Sequence, residues 1–525
     1  MKKRNPRLVL FIALPLLILG LGILSFQVYF RGAVSVYVEN LLEEKMSRQL
    51  DQATGDSLDV NVQKLKFNVF SLTVSTPDIS IYAATDVYNE DDSAMLYTEV
   101  YEAGVINLEI SLKPLVLIAM GQKEINVNRF QTDSVYFSTK YLAEEPGVVS
   151  NSRQKIQSGP IHFKGNIELP DLENNGTGNL KFEKHSFQAI NLFVYLPEEL
   201  YSFHFSSISF DGTMKTISME KIKILPIHSR EEFYQHVNFE TDRIETHLDK
   251  IEIKGFQTQK KGDRRRLMIS QVNISKGVID VFRDRRPPFN EEQRPAMPAR
   301  LILSAPVDLF VAEIYISETD ILYSEFPEDG SESAFTEASG NVPFYRLDAT
   351  VRNITNIADS LNKDSIMHIN AETFIFDDAI LQADFRYNLK DINGGYRADV
   401  ELSDFRFETI NSALYPLAGI KVAGGIHQSS VFSFTGNDVE SRGELYMKWN
   451  DLLLDFTPEA GDVVTGIMKS LGKSIYHQSN PDNETKDPSG EIYFERDIRR
   501  FVFHYWWNCY LSGIKDSALR DFVPL

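Results

Sequence analysis

The chain has 525 residues, of which 43% are hydrophobic and 24% are charged, a composition typical of a folded protein. Its formal net charge is -20. Setting aside the four cations at its start leaves 50 basic against 74 acidic residues, or -24, from Leu8 onward. Such an acidic body argues against nucleic acid as a partner and against broad electrostatic adhesion to anionic lipid. Cys509 is the only cysteine, which excludes an intrachain disulfide and a zinc site built on several cysteines.

The segment from Leu8 to Tyr29 contains no charged residue. As a helix it spans roughly 33 Å, enough to cross a hydrocarbon core of about 30 Å. Lys2, Lys3, Arg4 and Arg7 precede it, and the positive-inside rule predicts a cytoplasmic amino terminus. The alternative is a secretory signal peptide, but no small-x-small cleavage site follows the apolar run. We expect an uncleaved transmembrane anchor, with everything after Arg31 across the membrane.

An amphipathic helix is predicted for residues 32–57, where apolar residues recur at spacings of three and four. Val34, Val38, Leu41 and Met46 form its apolar stripe, and Glu39, Glu43 and Glu44 are among the residues between them. Because its charged face is acidic, we expect it to pack on the first strands as a lid. The alternative is that it lies along the membrane surface.

From Leu58 the hydrophobic period changes to two, which predicts strands with one apolar face. Leu108-Ile110-Leu112, Ile222-Ile224 and Ile251-Ile253 are examples, and turn signals such as Asn393-Gly394-Gly395 and Gly436-Asn437-Asp438 separate the strands. About 25 to 30 such strands form a sheet that must coil or curl. Since amphipathic helices are few, the sequence predicts a mainly β fold. It consists of one N-terminal transmembrane helix followed by an elongated, curled antiparallel β-sheet groove with a few short capping helices.

Three polar or proline-rich segments look like loops or seams: 143–159, 285–298 and 477–489. The second carries four prolines and is the best predicted boundary. The predicted domains are the cytoplasmic head and transmembrane helix (1–31), the amphipathic helix (32–57), two β-groove halves (58–286 and 299–457) and a carboxy-terminal region of helices and a capping strand (458–525). Short helices are predicted from Pro114 to Met120 and from Ala460 to Tyr476.

The chain resembles the AsmA-like family of envelope proteins from double-membraned bacteria. The resemblance rests on the basic head and single spanning helix, on the segment Leu65 to Ile81, and on Ser111-Leu112-Lys113-Pro114-Leu115. The most specific part is Gly424 to Phe456, which is similar to the family's carboxy-terminal pattern of a small-residue turn, a strand, a glycine and an aromatic before Asp-Leu. The resemblance implies a periplasmic body, a β-groove and a role in outer-membrane biogenesis. None of these motifs is catalytic.

No catalytic, cofactor-binding or metal-binding residue is predicted, and we do not expect an enzyme. The ten histidines fall singly, and no phosphate-binding loop or nucleophile elbow occurs. Ser512-Gly513-Ile514-Lys515 fits Ser-x-x-Lys, but the companion motifs are missing.

Two clusters allow more than one interpretation. A basic cluster is formed by Lys260, Lys261 and residues 264–266, and Arg283, Arg285 and Arg286 follow closely in the sequence. The cluster is either a solvated hairpin tip or a patch that meets lipid phosphates or an acidic partner. The aromatic residues around Trp506 are a core plug or an interfacial belt.

These observations lead to two functional hypotheses. The first is an inner-membrane-anchored periplasmic protein that binds or conducts phospholipid or another acyl-chain lipid along an apolar β-groove. The alternative is a non-conducting envelope scaffold or regulator of an outer-membrane assembly machine, with a protein partner in the envelope. They differ in whether charged substitutions on the inner wall, at positions such as Ile110 or Ile253, impair function.

Overall fold

The computed structural model describes residues 58–68, 73–88, 95–112, 126–142, 152–159, 161–168, 181–195, 200–261, 264–327, 339–376, 378–418, 420–456, 476–481 and 489–518. The described chain is mainly β, as predicted. It divides into two compact units, Met1–Glu198 with Ser209–Thr213 and Glu199–Ile208 with Met214–Leu525. The predicted anchor, the amphipathic helix and the helices at Pro114–Met120 and Ala460–Tyr476 lie outside the described residues, apart from Tyr476 itself.

The first unit is built from antiparallel strands. They are β1 (Leu58–Val62), β2 (Lys66–Asn68), β3 (Thr73–Tyr88), β4 (Met95–Leu112), β5 (Asn126–Thr132), β6 (Ser134–Leu142), β7 (Ser152–Ser158), β8 (Ile161–Glu168) and β9 (Lys181–Tyr195). The segment 143–159 was predicted to be a loop, and this is wrong for its second half, which forms β7. Because Ile156 pairs with Phe137 of β6 and Val194 of β9, its backbone groups are used in the sheet.

Directly paired positions in the first unit place apolar residues in a line across the sheet, because residues opposite each other in neighbouring strands share a face. One such line contains Ala103 of β4 and Phe137 of β6. The predicted inner-wall residue Ile110 stands in a second line, between Val74 of β3 and Phe130 of β5.

The chain continues through β10 (Tyr201–Asp211) into the longer strands of the second unit. These are β11 (Thr216–Pro226), β12 (Asp242–Lys254), β13 (Gln257–Lys261), β14 (Arg264–Asp284), β15 (Asp308–Phe326), β16 (Gly340–Thr355), β17 (Ile366–Ile375), β18 (Ala379–Asn388), β19 (Tyr396–Leu402), β20 (Phe405–Arg406), β21 (Ile420–Gly436), β22 (Glu440–Phe456) and β23 (Ser489–Glu495). Helices α1 (Arg230–Phe233), α2 (Pro298–Leu303), α3 (Ala358–Lys363), α4 (Asn411–Ala418) and α5 (Val502–Ala518) interrupt them, with a 3-10 turn at Phe407–Ile410.

The sheet of the second unit is mixed, which corrects the expectation of a purely antiparallel one. Strands β14 and β15 run parallel from Arg266 opposite Asp308 to Asp284 opposite Phe326. The proline-rich segment 285–298 therefore lies within a crossover that returns the chain to the end of the sheet at which β14 begins, since neighbouring parallel strands cannot be joined by a hairpin. The sheet continues across this predicted boundary.

Three neighbouring strands bend at the same level. Lys276 of β14, Glu318 of β15 and Arg346 of β16 have φ values of 51°, 48° and 51°, the left-handed region that long side chains rarely adopt. Lys276 Nζ lies 3.5 Å from Glu318 Oε2, and the Glu318 backbone N–H donates to Asp348 Oδ1 at 3.0 Å. These residues interrupt the alternation of side chains and give the sheet a local crease.

Helix α5 packs against β22 and β23. Its buried side includes Tyr505 and Cys509, and Cys509 Sγ lies 2.8 Å from the hydroxyl of Ser441 on β22. The approach is close because both surfaces carry glycine: a Cβ at Gly490 of β23 would stand 2.3 Å from the backbone oxygen of Gly513. Helix α5 is therefore fitted to the sheet at van der Waals distance.

Candidate functional site

The most extensive feature of the second unit is a row of apolar residues that runs through directly paired positions. We call it row A, and it crosses eleven strands without a polar residue. Its members, from β11 to β23, are Met219, Ile251, Ile274, Ile316, Ala349, Ala371, Ala383, Val400, Phe432, Leu445 and Gly490.

A second row, row B, lies two residues away along every strand and therefore on the same face. It consists of Ile217, Ile253, Val272, Ile314, Val351, Ile369, Phe385, Ala398, Phe434, Gly443 and Ile492. Ile253, predicted from the sequence as an inner-wall position, is a member. Rows A and B together make one face of the sheet apolar across its full width.

The residues between the two rows point to the opposite face, and all are polar. They are Ser218, Glu252, Asn273, Tyr315, Thr350, Asn370, Asp384, Asp399, Ser433, Glu444 and Glu491. Several are held in hydrogen-bonded pairs, such as Asn370 Nδ2 to Asp384 Oδ2 at 2.6 Å and Arg397 Nη2 to Asp399 Oδ1 at 2.6 Å. The Arg397 guanidinium lowers the pKa of Asp399, so that carboxylate stays charged. This face is suited to water.

Helix α5 covers five of the eleven strands on the apolar face. The ring of Trp506 lies 4.5 Å from that of Phe385, and the ring of Tyr510 lies 4.7 Å from that of Phe432. Beneath the helix, members of both rows such as Leu445 and Ile492 are fully buried. The aromatic cluster around Trp506 thus contributes to the core, which is the first of its two interpretations, although Phe503 and Trp507 are exposed on the outer side.

The other six strands, β11, β12 and β14 to β17, have a less protected apolar face. Their members of rows A and B, including Met219, Ile251, Ile274 and Ile316, are only half-buried. Aliphatic side chains of this size are usually fully buried when a second layer covers a sheet. The apolar face therefore has a covered half and an open half.

The crossover segment and an ion-pair network mark one boundary of this face. Met297 and Ala299 at the start of α2 are fully buried in the core cluster that also contains Ile269 and Val311. Arg500 Nη1 lies 2.9 Å from Glu240 Oε1. This ion pair joins the turn before α5 to the residues before β12. Arg500 thus links two connecting segments that are far apart in the sequence.

Glu240 is the centre of a largely buried charge network. Its carboxylate contacts Arg500 and, at 3.5 Å, Arg283 Nη1, while Arg283 Nε donates to Asp242 Oδ1 at 2.6 Å. Hydrogen bonds to Asp242 raise the pKa of Arg283 against the opposing effect of burial. Burial raises the pKa of the neighbouring Tyr323 well above its ordinary value. The charged side chains of this network pair with one another, which indicates a structural role.

The predicted basic cluster is divided by the fold. Arg264 and Arg266 stand at the start of β14 and share Asp308, whereas Arg283, Arg285 and Arg286 stand at its other end. The latter three pair with carboxylates of Asp242, Glu325 and Asp284 respectively. The strand between the two groups is about 60 Å long. Arg265 is exposed and makes no ion pair within the described residues.

One buried polar pair was not predicted. His427 Nε2 lies 2.5 Å from Ser430 Oγ, its Nδ1 lies 3.0 Å from the Ser403 carbonyl oxygen, and its ring stacks on Phe405. Burial lowers the pKa of His427 to about 4, so the imidazole is neutral at pH 7. Both side chains are inaccessible to a substrate, which argues for a packing role. The described residues contain no cluster of potential metal ligands, and Ser512 of the Ser-x-x-Lys match donates only to the Cys509 carbonyl.

Comparison of the chain with protein-family models, with curated proteins and with solved structures finds no match in any of the three sets. The AsmA-like resemblance therefore stays a prediction. Within the described ranges, no helix combines the length and apolar character needed to span a bilayer. The apolar face with its open half is the candidate functional site.

Proposed function

We propose that this protein binds or conducts phospholipid, or another acyl-chain lipid, along the apolar face of its sheet. It would do so in the periplasm, anchored in the inner membrane, in support of outer-membrane biogenesis. The observation that carries the proposal is the pair of uninterrupted apolar rows, whose members are half-buried over six strands. Row B members such as Ile253 and Ile314 pack against the core cluster that contains Met297, so the less protected aliphatic surface is that of row A. Leaving it half-exposed to water is costly, and a bound acyl chain would remove the cost.

The dimensions of the open half fit an acyl chain. Six strands at a spacing of about 4.8 Å extend roughly 24 Å from the first to the last. Half of a bilayer's hydrocarbon core, the reach of one lipid tail, is about 15 Å. A tail lying across the strands along row A or row B would contact aliphatic groups over its whole length, and the polar headgroup would remain in water.

The runner-up is a non-conducting scaffold or regulator with a protein partner in the envelope. Helix α5 favours it, because the chain itself covers five of the strands and so closes the face at that side. In this alternative the open half is an interface for another protein.

Lipid analysis of point variants distinguishes the two. The full-length protein and its Ile274→Glu variant are purified in parallel, and organic extracts are compared by mass spectrometry. Asn273→Glu is the matched control, because it adds the same charge one residue away on the polar face. We expect co-purified lipid to fall at least fivefold in Ile274→Glu and to remain unchanged in Asn273→Glu, since burying a carboxylate against an acyl chain is strongly unfavourable. A wild-type extract free of lipid would remove the proposal.

A photoreactive residue at position 316 gives an independent measurement. Crosslinking in living cells followed by mass spectrometry should yield a lipid adduct at this position of row A. A protein adduct alone would support the scaffold. The proposed location is checked separately by protease protection: in spheroplasts the body should be digested, whereas a cytoplasmic protein would be spared.

A further inference from the structure

Several large apolar residues protrude at one end of the second unit's sheet, the end at which β14 begins, and three of them are joined by one hydrogen-bond network. Leu301 of α2, Ile392 in the turn between β18 and β19, and Val439 in the turn between β21 and β22 are 61%, 81% and 67% exposed. We call them the tip residues. Each stands on a different turn or short helix, so they form separate protrusions and not a groove. Turn positions normally carry polar residues, and three such exceptions at one end of a sheet call for a reason.

Hydrogen bonds from the Arg300 guanidinium hold these turns together. Arg300, next to Leu301, donates from Nε and Nη2 to Asp438 Oδ2 at 2.8 and 2.6 Å, and also donates to the carbonyl of Ile392. The backbone of Asp438 in turn donates to Asn393 at 3.0 Å. The tip residues are therefore presented together by a fixed framework, because one guanidinium connects all three segments.

The hairpin of β13 and β14 supplies positive charge at the same end. Arg264 and Arg265, the first two residues of β14, are exposed there. Arg264 Nη2 also donates to the carbonyl of Ala305, just after α2, at 3.1 Å, which places the hairpin beside the tip residues. Arg264 shares Asp308 with Arg266, whereas Arg265 makes no ion pair within the described residues and is therefore open to an external anion.

We propose that this end of the sheet docks onto the surface of a bilayer that contains anionic lipid. The tip residues enter the interface between headgroups and acyl chains, and Arg265 contacts lipid phosphates. Isolated apolar protrusions beside cations suit a fluid interface, whereas a protein partner would require complementary pockets at three fixed points. The docking is separate from lipid binding on rows A and B, and each can fail without the other.

Site-specific fluorescence tests the contact. A polarity-sensitive dye is attached to full-length Val439→Cys, and Ile227→Cys is the control, because Ile227 is a 44% exposed residue at the opposite end of the same sheet. The natural Cys509 is fully buried and does not compete for the dye. Vesicles of equal parts phosphatidylcholine and phosphatidylglycerol, carrying a nitroxide in the acyl region, are then added. We expect quenching of the dye at position 439 and none at 227.

Two further variants test the chemistry. Ile392→Asn should weaken vesicle binding at position 439 about tenfold, since an exposed aliphatic side chain no longer enters the apolar layer. Arg265→Glu should weaken it by at least fivefold on anionic vesicles and hardly at all on phosphatidylcholine alone. Absence of quenching at 439, or equal quenching at 227, overturns the proposal. So does recovery of a protein that blocks the dye in a membrane-free extract while vesicles leave it unchanged.

Discussion

Substitution of Gly490 by alanine should loosen helix α5 from the sheet. The new Cβ would stand 2.3 Å from the Gly513 carbonyl oxygen and 2.9 Å from the Ser517 backbone nitrogen, and neither is a flexible side-chain end that could move aside. Relief requires a shift of the helix backbone by about an ångström, and such overpacking typically costs 1 to 3 kcal/mol. We expect a loss of about 2 kcal/mol in the free energy of unfolding of the second unit.

Gly424→Ala is the matched control, because its Cβ would meet only a methyl group of Leu453 at 3.6 Å, an ordinary contact. Its expected change is within about 0.5 kcal/mol of zero. Urea denaturation followed by tryptophan fluorescence measures both, since all three tryptophans (Trp449, Trp506 and Trp507) lie in the second unit. Equal stability of the two variants would refute the close approach of α5. If Gly490→Ala also increases co-purified lipid, the helix acts as a lid over the covered half.

Three further predictions concern buried groups. The pKa of His427 is lowered to about 4 from 6.5, so the unfolded state binds the proton first as the pH falls. The free energy of unfolding should therefore be highest above pH 6.5 and fall by about 3 kcal/mol by pH 4. His427→Phe should abolish this pH dependence in urea titrations. Glu240→Gln should cost about 3 kcal/mol in the same assay because two arginines lose a buried partner, whereas Asp249→Asn, in an exposed pair, should leave the urea midpoint nearly unchanged. Burial raises the pKa of Cys509 to about 11, so alkylation at pH 8 should proceed only at the rate of unfolding; rapid labelling of the folded protein would contradict the packing of α5.

The strands and their apolar sides were predictable because side chains alternate with a period of two. Ile251 and Ile253 showed this pattern in the sequence, and both belong to the apolar face. The turns at Asn393-Gly394-Gly395 and Gly436-Asn437-Asp438 were equally visible, since glycine and asparagine favour tight reversals. All of these are local properties of the chain.

The register between strands could not be predicted, because it depends on which distant segments pair. Ile274 lies beside Ile316 only because β14 and β15 run parallel, and the proline-rich segment between them suggested a boundary instead of a crossover. The crease at Lys276 and Glu318 had no signal either, as neither residue type favours a positive φ.

The amino-acid sequence by itself determined that this protein is mainly β and that its strands carry one water-avoiding side, since both follow from composition and periodicity. Tertiary structure alone decided that these sides align into continuous rows, that α5 shields only part of them, and that Leu301, Ile392 and Val439 meet at one end. The physical reason is that alignment, cover and proximity are set by long-range pairing and packing, which are properties of the folded chain and not of any segment within it.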